Sequence, residues 1–314
     1  MKDEETPVLE ICRISIVLRF RSAGLISHFW GPTFRGGFGL ALKECVCSFS
    51  NIACEKCAFQ DSCAYNYLFE TPVPQNSAIM RLYPKAPHPF VMEPPTDIAA
   101  KVDEGDTASF GMVLLGKAIL YLPYVILGLD RLGKKGLGKD AVIFEVVCVK
   151  DEEGTTIYKN ERGFPLLVPK PKVFEIKTGT QRQSRFRIKF ETPLRLQVNG
   201  KIQTKFSFAD VFLNLMRRIQ LVSYFHTTHN NCFLKPKLEI SPDDVALVAS
   251  SLRWFDKSRW STRQQRKVPI GGLVGDLIFA GELGYFLPLL KVGEYIHIGK
   301  NSTFGLGKIK IMEE

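Results

Sequence analysis

Residues Leu9–Phe20 alternate loosely between apolar and polar positions and are rich in Ile, Val and Leu, which predicts a first strand. A loop over 22–32 follows. Thr33–Val46 then shows apolar spacing that predicts a helix, although its glycines weaken the pattern. A cysteine-rich insert occupies about 45–70, and a proline-rich stretch over 76–95 holds a short strand near Phe90–Met92. Next come a strand at Met112–Leu115, a helix near Ala118–Leu129, a glycine-rich stretch and a strand running to Lys150. A turn at Asp151–Gly154 and three prolines within 163–172 mark a boundary, giving domains of 1–165 and 166–314. The second half opens with a strand over Arg185–Val198. Its Phe208–Tyr224 segment reads as a helix, with Val211, Leu215, Ile219 and Val222 on one face and Asp210 in an early turn. A short helix at Pro242–Leu252, a turn at Gly271–Gly272, a helix to about Leu290 and terminal strands complete the reading. Strand–helix–strand blocks in both halves predict an α+β protein of two tandem ferredoxin-like (RRM-like) domains, the first carrying the cysteine-rich, zinc-type insert.

The two halves also share a motif. Gly-Leu-Gly-Lys occurs at Gly136–Lys139 and again at Gly305–Lys308, each time after an apolar segment containing Leu-Pro and before β-branched residues. Each half is expected to carry a helix, a glycine-rich basic loop and a strand. Glycines let backbone approach a bulky anion, and the lysines add charge; helix-ending turns are the alternative.

Charge sharpens this picture. The net charge of +10 points to a polyanionic partner, while 45% hydrophobic content suffices for two cores. The first residues, Met-Lys-Asp-Glu-Glu, are acidic where an export signal is basic and then apolar. The apolar run Phe110–Leu129 holds Lys117, Pro123 and three glycines, so a strand and a helix are expected there rather than a membrane span. A cytoplasmic location without membrane attachment follows as an expectation.

Eight cysteines without an export signal argue for thiols or metal ligands over disulfides. Cys47, Cys54, Cys57 and Cys63 share one short loop, and Cys54-x-x-Cys57 can form a metal knuckle. Four thiolates close a tetrahedral site, so a structural zinc is expected; an iron–sulfur cluster uses the same ligands. No catalytic metal is expected.

Between Lys170 and Lys205 ten Lys/Arg face two acids. Arg185, Arg187 and Lys189 alternate with Phe186, Ile188 and Phe190, so one strand face is cationic and the other apolar, a face suited to phosphates. Over Arg253–Lys267, six Lys/Arg mix with Trp254, Phe255 and Trp260, a composition suited to single-stranded nucleic acid. Five histidines supply candidate acid–base groups: His28 before the Arg35-Gly-Gly segment, His88 between prolines, His226 and His229 after the predicted helix, and His297 before the second glycine loop. A nucleotide-binding lysine loop, carboxylate pairs at metal spacing and a Gly-x-Ser-x-Gly elbow are all missing.

Together these residues resemble a known group. Phe34-Arg-Gly-Gly-Phe-Gly, the Cys54-x-x-Cys57…Cys63-x-Tyr…Leu-Phe-Glu70 run, Arg217-Arg-Ile, Val268-Pro-Ile-Gly-Gly-Leu-Val-Gly and His297-Ile-Gly-Lys-Asn-Ser-Thr-Phe-Gly-Leu-Gly-Lys are similar to the CRISPR pre-crRNA-processing endoribonucleases of the RAMP superfamily. The resemblance spans roughly residues 10–312. It implies two ferredoxin-like domains, binding of CRISPR repeat RNA, and metal-independent cleavage in which the ribose 2′-OH attacks the adjacent phosphate to leave a 2′,3′-cyclic phosphate. Such chemistry needs a base, an acid and a cation for the phosphorane charge. The family commonly places a histidine near the first helix, which His28 matches; His226, His229 and Tyr224 are competing candidates. Candidate RNA contacts are Arg35, Lys134 and Lys135 in the first half. In the second they are Arg182, Arg185, Arg187, Lys189, Arg217, Arg218, Arg259, Arg263, Arg266, His297, Lys300 and Lys308. The alternative reading is a non-catalytic crRNA-binding subunit of an effector complex, with other CRISPR subunits as partners. A zinc-stabilised DNA-binding protein is a further rival.

Overall fold

The structure, a computed structural model, describes residues 7–27, 29–49, 51–95, 100–180, 183–198, 200–227, 238–261 and 265–314. His28, Arg182, His229 and Arg263 lie outside the described residues. Two compact units form, one from residues 10–172 with 225–228 and the other from the remainder.

The first unit runs β1 (Val8–Phe20), α1 (Trp30–Val46), β2 (Phe90–Glu93), β3 (Thr107–Leu115), α2 (Leu122–Lys135), β4 (Phe144–Asp151) and β5 (Thr156–Lys159). Its sheet has the order β2-β3-β1-β4-β5, and these pairings are antiparallel. Period-2 alternation sends Ile14, Ile16, Leu18 and Phe20 to one face, all at most 1% exposed. They meet Trp30, Phe34 and Phe38 of α1 and Val125, Leu129 and Leu132 of α2 in one core. Helix α1 begins three residues before the expected Thr33. Pro32 fits a first helical turn, where its missing N–H costs nothing, and starting at Trp30 stacks that ring on Phe34 at 5.7 Å.

The second unit repeats the plan: β6 (Arg185–Leu194), α3 (Phe208–His226), β7 (Ala246–Ser250), β8 (Gly272–Ala280), α4 (Leu287–Ile296) and β9 (Ile309–Glu313). Its order, β7-β8-β6-β9, matches β2-β3-β1-β4 of the first unit strand for strand. Both units therefore show the βαββαβ connectivity and strand order of the ferredoxin-like arrangement within an α+β protein. Phe186, Ile188 and Phe190 are buried, and the Phe186 ring lies 6.1 Å from that of Phe208 on α3.

Two expectations fail in this unit. Pro242–Leu252 is a single 3-10 turn (Pro242–Asp244) followed by β7, because the segment pairs with β8. The helix expected after Gly271–Gly272 is strand β8, held between β6 and β7; the only α-helix in that stretch starts at Leu287. Among the described residues no helix is long and apolar enough to cross a membrane.

Candidate nucleic-acid interface

The glycine-rich loops close both units in the same way. Helices α2 and α4 each carry a proline in the first turn, and each ends in a residue with positive φ: Gly136 (φ 90°, ψ 154°) and His297 (φ 60°, ψ 166°). Leu137 exchanges backbone hydrogen bonds with Val142; in the second unit Ile298 N–H donates to the Gly307 carbonyl at 2.9 Å. Gly138 and Gly299 follow with φ of 80° and 82°. The structural counterpart of Gly136–Lys139 is thus His297–Lys300, not the second Gly-Leu-Gly-Lys. The match of letters was misleading because helix ends, not letters, set the register. His297 takes a conformation that glycine adopts freely and other residues rarely do.

These glycines face the chain's own backbone. A Cβ on Gly136 would lie 2.1 Å from the Ala141 carbonyl oxygen, and one on Gly307 1.8 Å from that of Ile298. Around the second loop, Lys300 N–H donates to the Arg195 carbonyl at 3.0 Å and Gly307 N–H to that of Pro193 at 3.1 Å. The Thr192 hydroxyl donates to the Gly305 carbonyl at 2.7 Å and accepts from Lys308 N–H at 2.8 Å. The loop is therefore rigidly seated on the end of β6.

The basic hairpin Ser258–Ser261/Arg266–Pro269 is tied to the same place. Arg195 donates to the Pro269 carbonyl at 2.6 Å, and the Arg259 guanidinium lies 4.7 Å over the Phe304 ring of the loop. Burial lowers the Arg259 pKa. Lys300 of the loop and Arg266 of the hairpin are exposed, and Arg259 and Lys308 are half-buried; Lys308 reaches Glu191 at 3.7 Å. The sequence reading counted Arg195 among the basic residues of 170–205 and held Phe304 within the second glycine motif, but gave neither a role. Arg195 follows β6 directly with no motif around it, and the packing of Phe304 under Arg259 joins positions 45 apart in the chain.

Other candidates have structural partners. On the outer face of the second sheet, Arg185 and Arg187 both donate to Glu314 at 2.9 Å through Nε, and Arg187 also through Nη2 at 2.5 Å. The hydrogen bond from Arg187, and then its charge and Arg185, hold the Glu314 carboxyl below the usual range. Lys189 is exposed, opposite Lys310 and Asp276 in the register. The cationic face is thus partly neutralised by the last residue of the chain. Arg217 is exposed on α3. Part of the Arg218 side chain reaches the surface, but its guanidinium is buried, which lowers the pKa to about 10. It donates to the Ile296 carbonyl at 2.7 Å and so caps α4 rather than facing a ligand. His297 is 0% exposed, its Nδ1 3.2 Å from the Leu306 carbonyl, so its ring serves loop packing and cannot reach RNA in this conformation.

In the first unit, Lys134 pairs with Asp130 at 2.7 Å and Lys135 with Glu44. His226 is 1% exposed with both nitrogens engaged. Its Nε2 lies 2.7 Å from the Pro87 carbonyl, which only accepts, so Nε2 carries the proton. In the neutral ring Nδ1 then accepts from the Tyr67 hydroxyl at 3.1 Å. This is a packing histidine rather than a base open to substrate. Tyr224 is half-buried. Arg35 donates to His88 Nε2 at 3.0 Å, and His88 Nδ1 lies 2.9 Å from the Thr71 hydroxyl, so Arg35 is held in a network anchored by His88.

In the insert, Cys47 caps α1, Cys54 and Cys57 flank a 3-10 turn, and Cys63 precedes the next helical segment. Burial raises the Cys54 pKa, Lys43 opposes it, and the charges of Glu70, Cys47 and Cys63 add to the rise. The thiols are within electrostatic reach. Yet among the described residues no group of three or more His, Cys, Asp or Glu stands where a metal ion could be held.

The class is thus an α+β protein of two βαββαβ units with a glycine loop and a basic hairpin closing the second. Residues 9–172 match the family model AF_1859_N, N-terminal domain, over more than half of the chain, and the chain belongs to that family. Residues 188–309 match the model of the CRISPR-associated endoribonuclease Cas6, so the likeness to CRISPR pre-crRNA-processing proteins read from the sequence is borne out. An uncharacterized protein of Archaeoglobus fulgidus is 31% identical over 157 residues, a match covering 50% of this chain and 52% of that protein. The chain thus matches about half the length of this curated relative. Among solved structures, a Cas6 product complex aligns with a TM-score of 0.56 at 12% identity, covering 96% of this chain and 99% of that one. Thermus thermophilus Cas6 aligns at 0.54 and 12%, covering 97% and 99%. A partial Cas6-RT-Cas1–Cas2 complex aligns at 0.52 and 11%, covering 98% of this chain and 46% of that one. At these identities the likenesses show the fold.

Proposed function

We propose that the protein binds CRISPR repeat RNA and cleaves precursor transcripts as a metal-independent endoribonuclease. The observation that carries this reading is the Cas6-type match over residues 188–309, which contains the seated glycine loop and the basic hairpin. Lys300, Arg266 and Arg259 line that surface and contact phosphates, while exposed Trp254 offers a ring for a base. His28, two residues before α1, takes the proton of the 2′-OH or delivers one to the leaving 5′-oxygen, since imidazole titrates near neutral pH. The attacking 2′-oxygen forms the new P–O bond as the bond to the 5′-oxygen breaks, leaving a 2′,3′-cyclic phosphate. Cys47, Cys54, Cys57 and Cys63 would be the ligands of a structural zinc or an iron–sulfur cluster, which would stabilise the insert and supply no chemistry to the cleavage.

A second reading, a non-catalytic RNA-holding subunit, draws support from the burial of His226 and His297. Incubation with repeat RNA in EDTA separates the two. A cyclic-phosphate product, lost on 2′-deoxy substitution at the scissile nucleotide, supports the enzyme; tight binding without cleavage supports the holder. His28→Ala should slow single-turnover cleavage by roughly 10²–10⁴-fold with binding kept. Unchanged cleavage by that variant removes His28 from the mechanism.

A further inference from the structure

Two motifs of the first unit, Phe34-Arg-Gly-Gly and the run ending in Leu-Phe-Glu70, meet where the Arg35 guanidinium lies 5.1 Å over the Phe69 ring. Phe69 belongs to a π-helical segment, Asn66–Glu70, a form that is rare and concentrates at functional sites. The segment ends in Thr71 at φ 45° and ψ 58°, a left-handed conformation that a β-branched residue seldom adopts. Thr71 N–H donates to the Asn66 carbonyl at 2.7 Å, and its own carbonyl accepts from Ala86 N–H at 2.9 Å, so the strained backbone is fixed from both sides. Its hydroxyl is thereby held in the interior, the residue being 4% exposed.

That hydroxyl sets the direction of a hydrogen-bond chain. A guanidinium only donates, so His88 Nε2 accepts from Arg35 at 3.0 Å and the neutral ring carries its proton on Nδ1. Nδ1–H donates to the Thr71 hydroxyl at 2.9 Å, which donates onward to the Tyr67 carbonyl at 3.1 Å. His226 is arranged the other way, with its Nε2 proton on a carbonyl and its ring 1% exposed. His88 instead presents an oriented lone pair at Nε2, and both His88 and Arg35 are half-buried. The imidazole is a neutral acceptor. Phosphoryl oxygens are charged and take a guanidinium through two hydrogen bonds, so a phosphate draws Arg35 away from His88 and leaves the Nε2 lone pair beside it.

We propose, resting on the endoribonuclease reading above, that Arg35 binds the scissile phosphate and that His88, oriented by Thr71, is the base of the cleavage. Nε2 takes the 2′-OH proton as the 2′-oxygen bonds to phosphorus. The bond from phosphorus to the 5′-oxygen breaks, and that oxygen keeps the electron pair and receives a proton from the His28 imidazolium. Single-turnover cleavage of repeat RNA in EDTA is measured across pH, with thermal stability and RNA affinity read on the same proteins. His88→Gln should slow cleavage by roughly 10²–10⁴-fold and flatten the acid limb of the pH–rate profile, with affinity kept. Free imidazole should restore cleavage to His88→Gly, a rescue that a packing role does not give. Thr71→Val keeps the branched shape without the hydroxyl and should slow cleavage by roughly tenfold or more at unchanged affinity. The imidazole nitrogens are also followed by NMR in isotope-labelled protein, with His88 assigned by its loss in His88→Gln. Repeat RNA carrying a 2′-deoxy scissile nucleotide should shift the His88 Nε2 resonance as Arg35 leaves it. An Nε2 resonance indifferent to bound RNA overturns the inference whether or not the wild type cleaves, and so does a wild-type rate in His88→Gln. A shift in a wild type that never cleaves keeps Arg35 as a phosphate contact, overturns proton transfer by His88 and refutes the endoribonuclease reading.

Discussion

Gly307→Ala tests whether the loop glycines exist for backbone packing. At φ +69° an alanine pays roughly 1 kcal/mol for the left-handed conformation. Its Cβ would sit 1.8 Å from the Ile298 carbonyl oxygen, a backbone atom that cannot swing aside. Relief requires the loop to lift, breaking the hydrogen bonds Ile298 N–H to Gly307 and Gly307 N–H to Pro193. At about 1 kcal/mol each, the total cost is about 3 kcal/mol. For a unit of this size that lowers the thermal midpoint by about 10 °C. Gly36→Ala is the control. Nothing lies within 4 Å of a Cβ there, and the residue is inside α1, so alanine should add up to about 1 kcal/mol. Urea and thermal denaturation of both variants read these shifts, with RNA affinity measured on folded protein. If Gly307→Ala stays within about 0.5 kcal/mol of wild type but loses RNA affinity, the glycine keeps space for a ligand and the packing argument is wrong.

Glu314→Gln should release Arg185 and Arg187, tighten binding of all RNAs and steepen the salt dependence by about one to two counterions; an unchanged slope removes this face from the interface. Because the Glu314 carboxyl is held low, its pairing adds stability above the ordinary carboxylate pKa, and that part is lost as pH falls through the lowered value. Acid titration of the wild type and of Glu314→Gln should therefore converge at low pH. His226→Ala should cost about 3 kcal/mol, since it leaves the Tyr67 hydroxyl and Pro87 carbonyl buried without that partner. Cleavage per folded molecule should persist; a loss of cleavage at unchanged stability would instead give His226 a chemical role. Elemental analysis should find about one zinc, or iron with sulfide, per chain. Cys54→Ser/Cys57→Ser should lower the thermal midpoint more than activity per folded molecule, and protein purified without either metal refutes the site.

The sequence by itself determined the elements whose burial is periodic. β1 and β6 announce themselves by alternation, and α3 by the spacing of Val211, Leu215, Ile219 and Val222, because each pattern is a local consequence of one buried face. The helix–loop–strand plan of both halves was legible for the same reason, as was the family, through motifs around the glycines and cysteines. Strands β7 and β8 were not legible. Short segments containing Gly275 or exposed on both faces carry little periodicity, and their partners decide their state. Only the tertiary structure decided what each cation faces. Arg187 meets Glu314 across 127 positions, and Arg218 caps a helix 78 positions away. It also decided that His297, not a glycine, occupies the place of Gly136. A residue type states its charge and its conformational cost, but the groups that neutralise or offset them arrive from distant chain only when the sheets close.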